Sequence, residues 1–429
     1  MITTGELAFQ HLALLVAGQI PEAEDLDYKR DLYEGNDKGK KSLCGDVAAL
    51  ANTRGGVLIV GADEDDQGRA ADLPGVSLSD DEVTRMTSTL VSGLAPRPRF
   101  EIIPVENPNQ PGAGCYVIAV AAGPQFPYGV LINEGYRYPR RTGTTTGYMA
   151  EPEIETAYRR RDAARREQED RCAQIENLIR DRLSDDDTWV IVSLVPDQPG
   201  ELVIDAPTFS AFRAARQGTR PLIGYPYAWQ RVRLGHRRFL LDASFREGRT
   251  AHNLAADLHT DGAGVIAVAV SLFHHNPDTG PLRISDEGLV VAILAGLRFL
   301  GNHARETAGA SGAAALQVSM AGPLGREWAL YHDRNHGFPG ALSESVNQID
   351  IRLAQAAAPL DSLQDGQGLV AAAALLSAEI FQGFGVPEAY QITYAGQVRR
   401  RYWSRQPFGN LMTAWAEEAG VEISDEQAG

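Results

Sequence analysis

Ala48-Ala49-Leu50-Ala51-Asn52-Thr53-Arg54-Gly55-Gly56-Val57-Leu58-Ile59-Val60-Gly61-Ala62-Asp63 is the stretch that decides the N-terminal fold. From Ser42 into this stretch, Leu43, Val47, Leu50 and Ala51 recur at three- and four-residue spacing, as the apolar stripe of a helix does. Gly55-Gly56 stops that helix, since glycine takes a left-handed cap without steric cost. Val57 to Val60 then reads as a strand apolar on both faces, hence internal to a sheet. The Asp-rich loop from Gly61 to Asp66 follows. A helix end facing a strand that terminates in carboxylates is a common way to build a site. Paired glycines and acidic loops are also ordinary structural punctuation.

Working outward, residues 5–18 carry a helical apolar spacing at Leu7, Leu12, Leu14 and Leu15, and Pro21 breaks the chain after them. Asp25 to Lys29 alternates polar and apolar like a half-buried strand, residues 34–41 read as a loop, and residues 115–120 as another strand. These predict a mixed α/β domain over residues 1–155. Arg159, Arg160, Arg161, Arg165 and Arg166 interleave with Glu167, Glu169 and Asp170, with no Pro or Gly. That pattern predicts a solvent-exposed connecting helix over 156–185, laced with i,i+4 ion pairs. Strands return at 189–195, 264–272 and 315–320, interleaved with Ala/Leu-rich helices at 286–300 and 367–381. Residues 186–429 are therefore expected to form an α+β domain whose acidic tail frays.

The chain has 429 residues, 44% hydrophobic and 22% charged, which suits two or three domains with cores of their own and excludes a disordered or collagen-like protein. A net charge of −16 requires any nucleic-acid site to be a local patch of Lys and Arg. Three cysteines without a C-x-x-C pair fit a reducing cytosol and predict no zinc site built on thiolates. The longest apolar run, 288–300, contains Arg298 and falls short of the roughly 20 residues of a membrane span. With no basic n-region at the start, the expectation is a soluble cytoplasmic protein without a membrane contact.

Three clusters carry candidate chemistry. Glu22, Glu24, Asp25 and Asp27 close on Lys29, and converging carboxylates can hold Mg²⁺ or Mn²⁺. Such ions can activate a water when a phosphodiester is cut. On one strand Asp25 and Asp27 share a face, so Glu22 joins them only if the chain bends after Pro21. A solvated acidic turn gives the same string. The second cluster is the stretch quoted above. The third, Tyr136-Arg137-Tyr138-Pro139-Arg140-Arg141-Thr142-Gly143, sets arginines between aromatics, which suits phosphate and base contact and equally an exposed charged hairpin.

In order and spacing the three clusters resemble the Schlafen-type, AlbA-like domain. Glu22 through Asp27-Tyr28-Lys29 looks like its acidic opening, with Asp27 where Glu is usual. The quoted stretch is similar to its A-N-T-x-G-G core, and Tyr138 to Met149 to its arginine–glycine signature. The resemblance covers about residues 15–155. It implies a nucleic-acid-binding α/β module whose nuclease members cut RNA, notably tRNA, with Mg²⁺ or Mn²⁺. Carried over, the metal-holding catalytic carboxylates would be Glu22, Asp27 and Asp63, with Glu24 the alternative to Glu22. Lys29, Arg54, Arg137, Arg140 and Arg141 would grip phosphates of RNA or DNA. The zinc finger and duplicated core of eukaryotic nuclease members are not visible in this sequence, and a single copy is expected to pair with itself as a homo-oligomer. The leading expectation is an endoribonuclease, with a defence role against phage by analogy. The alternatives are a non-catalytic DNA- or RNA-binding regulator and an ATP-binding switch, for which no G-x-x-x-x-G-K-S/T loop is present.

Eight of nine histidines fall in the second domain. His332 and His336 stand four apart without the Glu of an H-E-x-x-H site, and His274-His275 ends an apolar run, so all read as structural. The basic-aromatic stretches 225–238 and 399–405 read first as polar faces of ordinary elements.

Overall fold

The computed structural model describes residues 7–123, 125–132, 135–221, 228–247, 250–270, 280–332, 340–347, 353–403 and 409–425. The chain divides into two units, Met1–Ala164 and Arg165–Gly429. Among the described residues no helix is long and apolar enough to cross a membrane.

The first unit is built on a mixed sheet. β1 (Leu26–Lys29) runs parallel to β2 (Gly55–Val60) in the register Asp27↔Leu58 and Tyr28↔Ile59. β2 in turn pairs antiparallel with the long strand Ala113–Ala121, which also takes Val76–Ser77 and Phe100–Glu106. Alternation sorts the two faces. Leu58, Val60, Tyr116, Ile118 and Val120 pack under α1 (Asp37–Ala51) and α2 (Asp80–Gly93), through Leu43, Val47, Leu50, Met86 and Leu90. Tyr28, Ile59, Cys115 and Val117 point to the other face, where Leu12 of the helix Phe9–Ala17 covers them. The mixed α/β class and the internal strand 57–60 are as the sequence implied.

The expected loop 34–41 is helical from Asp37. Asn36 caps the helix by accepting the Gly39 N–H at 2.9 Å. Gly39 is there because a Cβ would stand 2.0 Å from the Glu34 carbonyl oxygen. What reads as loop chemistry is a cap plus a close backbone contact.

The helix α3 (Glu151–Arg180) runs from the first unit into the second. It is not exposed along its length: Cys172, Ile175 and Ile179 are buried against Trp189, Ile191, Val265 and Ala267. Its charged run hides an apolar stripe at 172, 175 and 179, the spacing of one helix face. The second unit's main sheet has seven strands, with Trp189–Gln198 between Gly264–Ala269 and Ser311–Ala321. Val190, Val192 and Leu194 face α4 (Asp286–Asn302) and α5 (Gln367–Gly383) in the large core. A separate parallel pair, β3 (Leu282–Ser285) and β4 (Glu327–His332), leads into α4. The acidic tail does not simply fray, for Ile423–Ser424 pairs in parallel with Val398–Arg399. His274, His275 and His336 lie outside the described residues.

Candidate nucleic-acid interface

The quoted stretch organises this site through its backbone. At Gly56, with φ +145°, a Cβ would sit 2.3 Å from the Asp25 carbonyl oxygen. Only glycine lets β1 come this close, and the Val57 N–H then donates to that same oxygen at 2.8 Å. Asn52, 3% exposed, is a clamp: its Nδ2 donates to the carbonyls of Tyr128 and Pro139, both at 2.8 Å, and its Oδ1 accepts the Tyr128 N–H at 2.7 Å. The Thr53 hydroxyl donates to the Ala49 carbonyl and accepts the Arg141 N–H at 3.1 Å. The helix end thereby fixes the hairpin of Pro139–Thr142 and Thr145–Tyr148.

That hairpin aims its two neighbouring arginines in opposite directions, as adjacent strand residues must. Arg140 is half exposed, with Glu153 at 3.2 Å. Arg141 turns inward, its side chain 2% exposed, with Nη1 3.1 Å from Asp27 Oδ1 and Nη2 3.8 Å from Glu22 Oε2. The expectation that Arg141 grips phosphate is thus corrected, since it is the buried counter-ion of the acidic pair. Lys29, which is partly exposed, donates to both Asp27 oxygens at 2.9 and 2.8 Å.

Glu22 and Asp27 do meet. Glu22 Oε1 accepts the Tyr28 N–H at 2.9 Å, the bend after Pro21 that Glu22 needed. Burial, together with its hydrogen bond to Asp27, pushes the Glu22 carboxyl up to about 7. Burial works the same way on Asp27, but the hydrogen bond from Glu22 and the charges of Lys29 and Arg141 hold it below the usual carboxylate range. Asp63 is held elsewhere, by Arg30 Nη1 at 2.7 Å. Glu24 lies 3.8 Å from Arg54.

As arranged, these residues do not fit a divalent ion. Both Asp27 oxygens are taken by Lys29 and Arg141, a Glu22 oxygen takes an N–H, and Asp63 is paired with Arg30. Glu22, Asp27 and Asp63 do not form a group of three ligand atoms within 4.8 Å of one another.

What reaches solvent is basic and aromatic. Arg137 is exposed on the strand Gly135–Arg137, and no ion pair to it is formed among the described residues. Arg54 is 79% exposed, Tyr136 50% and Tyr148 62%. A cleft of about 690 Å³ is lined by Asn52, Thr53, Phe126, Arg140, Met149 and Arg160 among others. Arg161 braces its wall by donating to the carbonyls of Gln125, Phe126 and Pro127 and lying 5.0 Å over the Tyr158 ring. The cleft and Arg160 escaped the sequence reading because they depend on the start of α3 standing across from Ala122, Gly123 and Phe126; the arginine run there pointed only to a charged helix. In the second unit, Arg231 and Arg233 alternate with buried Val232, the polar face of an ordinary strand.

Residues 22–150 match the family model described as Schlafen, AlbA_2, and this part of the chain is a Schlafen-type AlbA-like domain, a family associated with nucleic-acid binding. No curated protein matches the sequence. Among solved structures, the chain is similar to the DIP2311 protein from Corynebacterium diphtheriae at 20% identity and a TM-score of 0.24, over 35% of this chain. The match spans 28% of that protein's length.

Proposed function

We propose that the first unit binds single-stranded RNA, with Arg54, Arg137 and Arg140 on phosphates and the exposed tyrosines and adjoining cleft taking bases. The observation that carries this reading is the outward half of the 135–148 segment. There Tyr136 and Arg137 are exposed on the strand 135–137, and Arg140 and Tyr148 on the following hairpin, which Asn52 and Thr53 hold. Aromatic faces stack on any base while arginines follow the backbone, a combination that suits single strands. The cleft lies within the few hundred to a thousand Å³ usual for sites that bury a small ligand, room for one unstacked nucleotide.

A second reading, cleavage of the bound RNA at Glu22, Asp27 and Asp63, is favoured by one observation. Glu22 and Asp27 share a hydrogen bond, with Glu22 pushed up to about 7, the range in which a carboxyl can exchange protons near neutrality. It requires Asp27 and Asp63 to give up their present lysine and arginine partners.

Fluorescence anisotropy with a labelled single-stranded RNA oligomer, beside DNA of the same sequence, tests the binding. The RNA is expected to bind equally in EDTA and in Mn²⁺ and to remain intact. No binding in either medium refutes the proposal, DNA binding alone reassigns the partner, and discrete fragments in either medium establish the second reading.

A further inference from the structure

Arg160 belongs to none of the three sequence clusters, yet it lines the cleft of the first unit. Along α3 the lining residues include Glu153, Thr156, Ala157, Arg160 and Ala164, which the three- and four-residue steps of a helix put on one face. The arginines on either side of Arg160 are engaged: Arg159 pairs with Glu155, and Arg161 donates to the carbonyls of Gln125, Phe126 and Pro127. Arg160 is exposed and makes no hydrogen bond or ion pair among the described residues. Its neighbours one turn away, Thr156, Ala157, Ala163 and Ala164, carry no charge to pair with it.

The rest of the lining sorts by chemistry. Ala51, Met149 and Ala157 are buried and Phe126 is half-buried, so much of the surface is apolar. The donors of all three uncharged polar side chains in the lining are taken. The Asn52 amide donates to Tyr128 and Pro139, the Thr53 hydroxyl to the Ala49 carbonyl and the Thr156 hydroxyl to the Pro152 carbonyl. Charge comes from Arg140, Glu153 and Arg160. Glu153 Oε2 accepts the Ala150 N–H at 2.8 Å, and its Oε1 meets Arg140 Nη1 at 3.2 Å, which anchors Arg140 at the first turn of α3. Arg160 stands seven residues beyond Glu153, about 10.5 Å along the helix axis. One guanidinium cannot serve both phosphates that flank a nucleoside, whereas two set apart along a helix can.

We infer that the cleft takes one nucleotide of the bound strand as a nucleoside 3′,5′-bisphosphate unit, with Arg140 on one flanking phosphate, Arg160 on the other and the base against the apolar lining. The inference rests on the single-stranded RNA reading above and adds to it a phosphate ligand, Arg160, and a specificity. With the uncharged donors of the lining engaged, the base is held by apolar contact and its edge is not read.

The test uses the full-length chain and a labelled single-stranded RNA followed by anisotropy. Adenosine and uridine 3′,5′-bisphosphates, the two 5′-monophosphates and inorganic pyrophosphate are added as competitors. Each bisphosphate should displace the RNA at a concentration lower by about tenfold than its monophosphate, the worth of one more charge-assisted contact. Adenosine and uridine should act alike, and pyrophosphate, which carries charge without a nucleoside, should match neither bisphosphate. In Arg160→Ala the advantage of the bisphosphates should vanish, and the slope of log RNA affinity against log salt should become shallower by about 0.7. Arg160→Lys, which keeps the charge, should retain the wild-type slope, and circular dichroism checks that both variants fold. Where the RNA binds, monophosphates or pyrophosphate that compete as well as the bisphosphates overturn the inference alone. So does a bisphosphate advantage that survives in folded Arg160→Ala. An RNA that does not bind at all refutes the underlying reading and this inference with it.

Discussion

Replacing Arg141 by Met separates the two roles its sequence allowed, phosphate ligand or internal counter-ion. Its Nη1 lies 3.1 Å from Asp27 Oδ1, with the two side chains 2% and 3% exposed. At that separation and an effective dielectric of about 20, the attraction is about 5 kcal/mol. Lys29 still holds Asp27 in the variant, so part of this survives, and a loss of about 3 kcal/mol is expected, the low end for breaking a buried pair. In thermal unfolding the transition of the first unit should drop by roughly 6–12 °C. The pH dependence has a definite sign. Asp27 is held below its ordinary range, so its pairing adds stability above about pH 4 that is lost as the pH falls further. The variant's deficit should shrink accordingly toward low pH, and Asp27→Asn/Arg141→Met should recover most of it at neutral pH. RNA affinity of the folded Arg141→Met protein should match the wild type. A deficit below about 0.5 kcal/mol, the size of an ordinary surface substitution, would refute the reasoning. So would loss of RNA binding by a stably folded Arg141→Met.

Three further outcomes follow from the same geometry. Asn52→Ala leaves two carbonyls and one N–H without their side-chain partner and should cost roughly 3 kcal/mol, read by urea denaturation. Gly56→Ala forces a Cβ to within 2.3 Å of a backbone oxygen at a positive φ, so the first unit should lose its cooperative transition or express insoluble. Glu22→Gln should flatten the stability profile between pH 4.5 and about 7. The folded state holds this proton more tightly than the unfolded one, so the wild type loses up to roughly 3 kcal/mol as the pH rises through that window, and the amide loses none.

The fold of the first unit was legible where period and backbone chemistry coincide. Val57 to Val60 could only be an internal strand, and its neighbours Gly55 and Gly56 report close approaches of Ala122 and Asp25 that no other residue permits. Of the candidate site, the approach of Glu22 to Asp27 and the exposure of Arg54, Arg137 and Arg140 match the residues singled out from the chain. The opposite aims of Arg140 and Arg141 were readable in principle, because consecutive strand residues point to opposite faces, but only once the strand's bounds were known. Asp63 was named on family resemblance, and its pairing with Arg30 is a tertiary fact without a local signal. The buried stripe of α3 was masked by its charge run, since long arginines and glutamates dominate composition even where every third or fourth residue is apolar.

The central claim is that exposed arginines of the first unit hold a nucleic-acid backbone, and salt dependence tests it most directly. RNA affinity should be measured by anisotropy across a potassium chloride series for the wild type and for Arg54→Ala/Arg137→Ala/Arg140→Ala. If the three arginines neutralise three phosphates of a single strand, the slope of log affinity against log salt should be shallower in the variant by about 2. Equal slopes and equal affinities in two folded proteins would contradict the account.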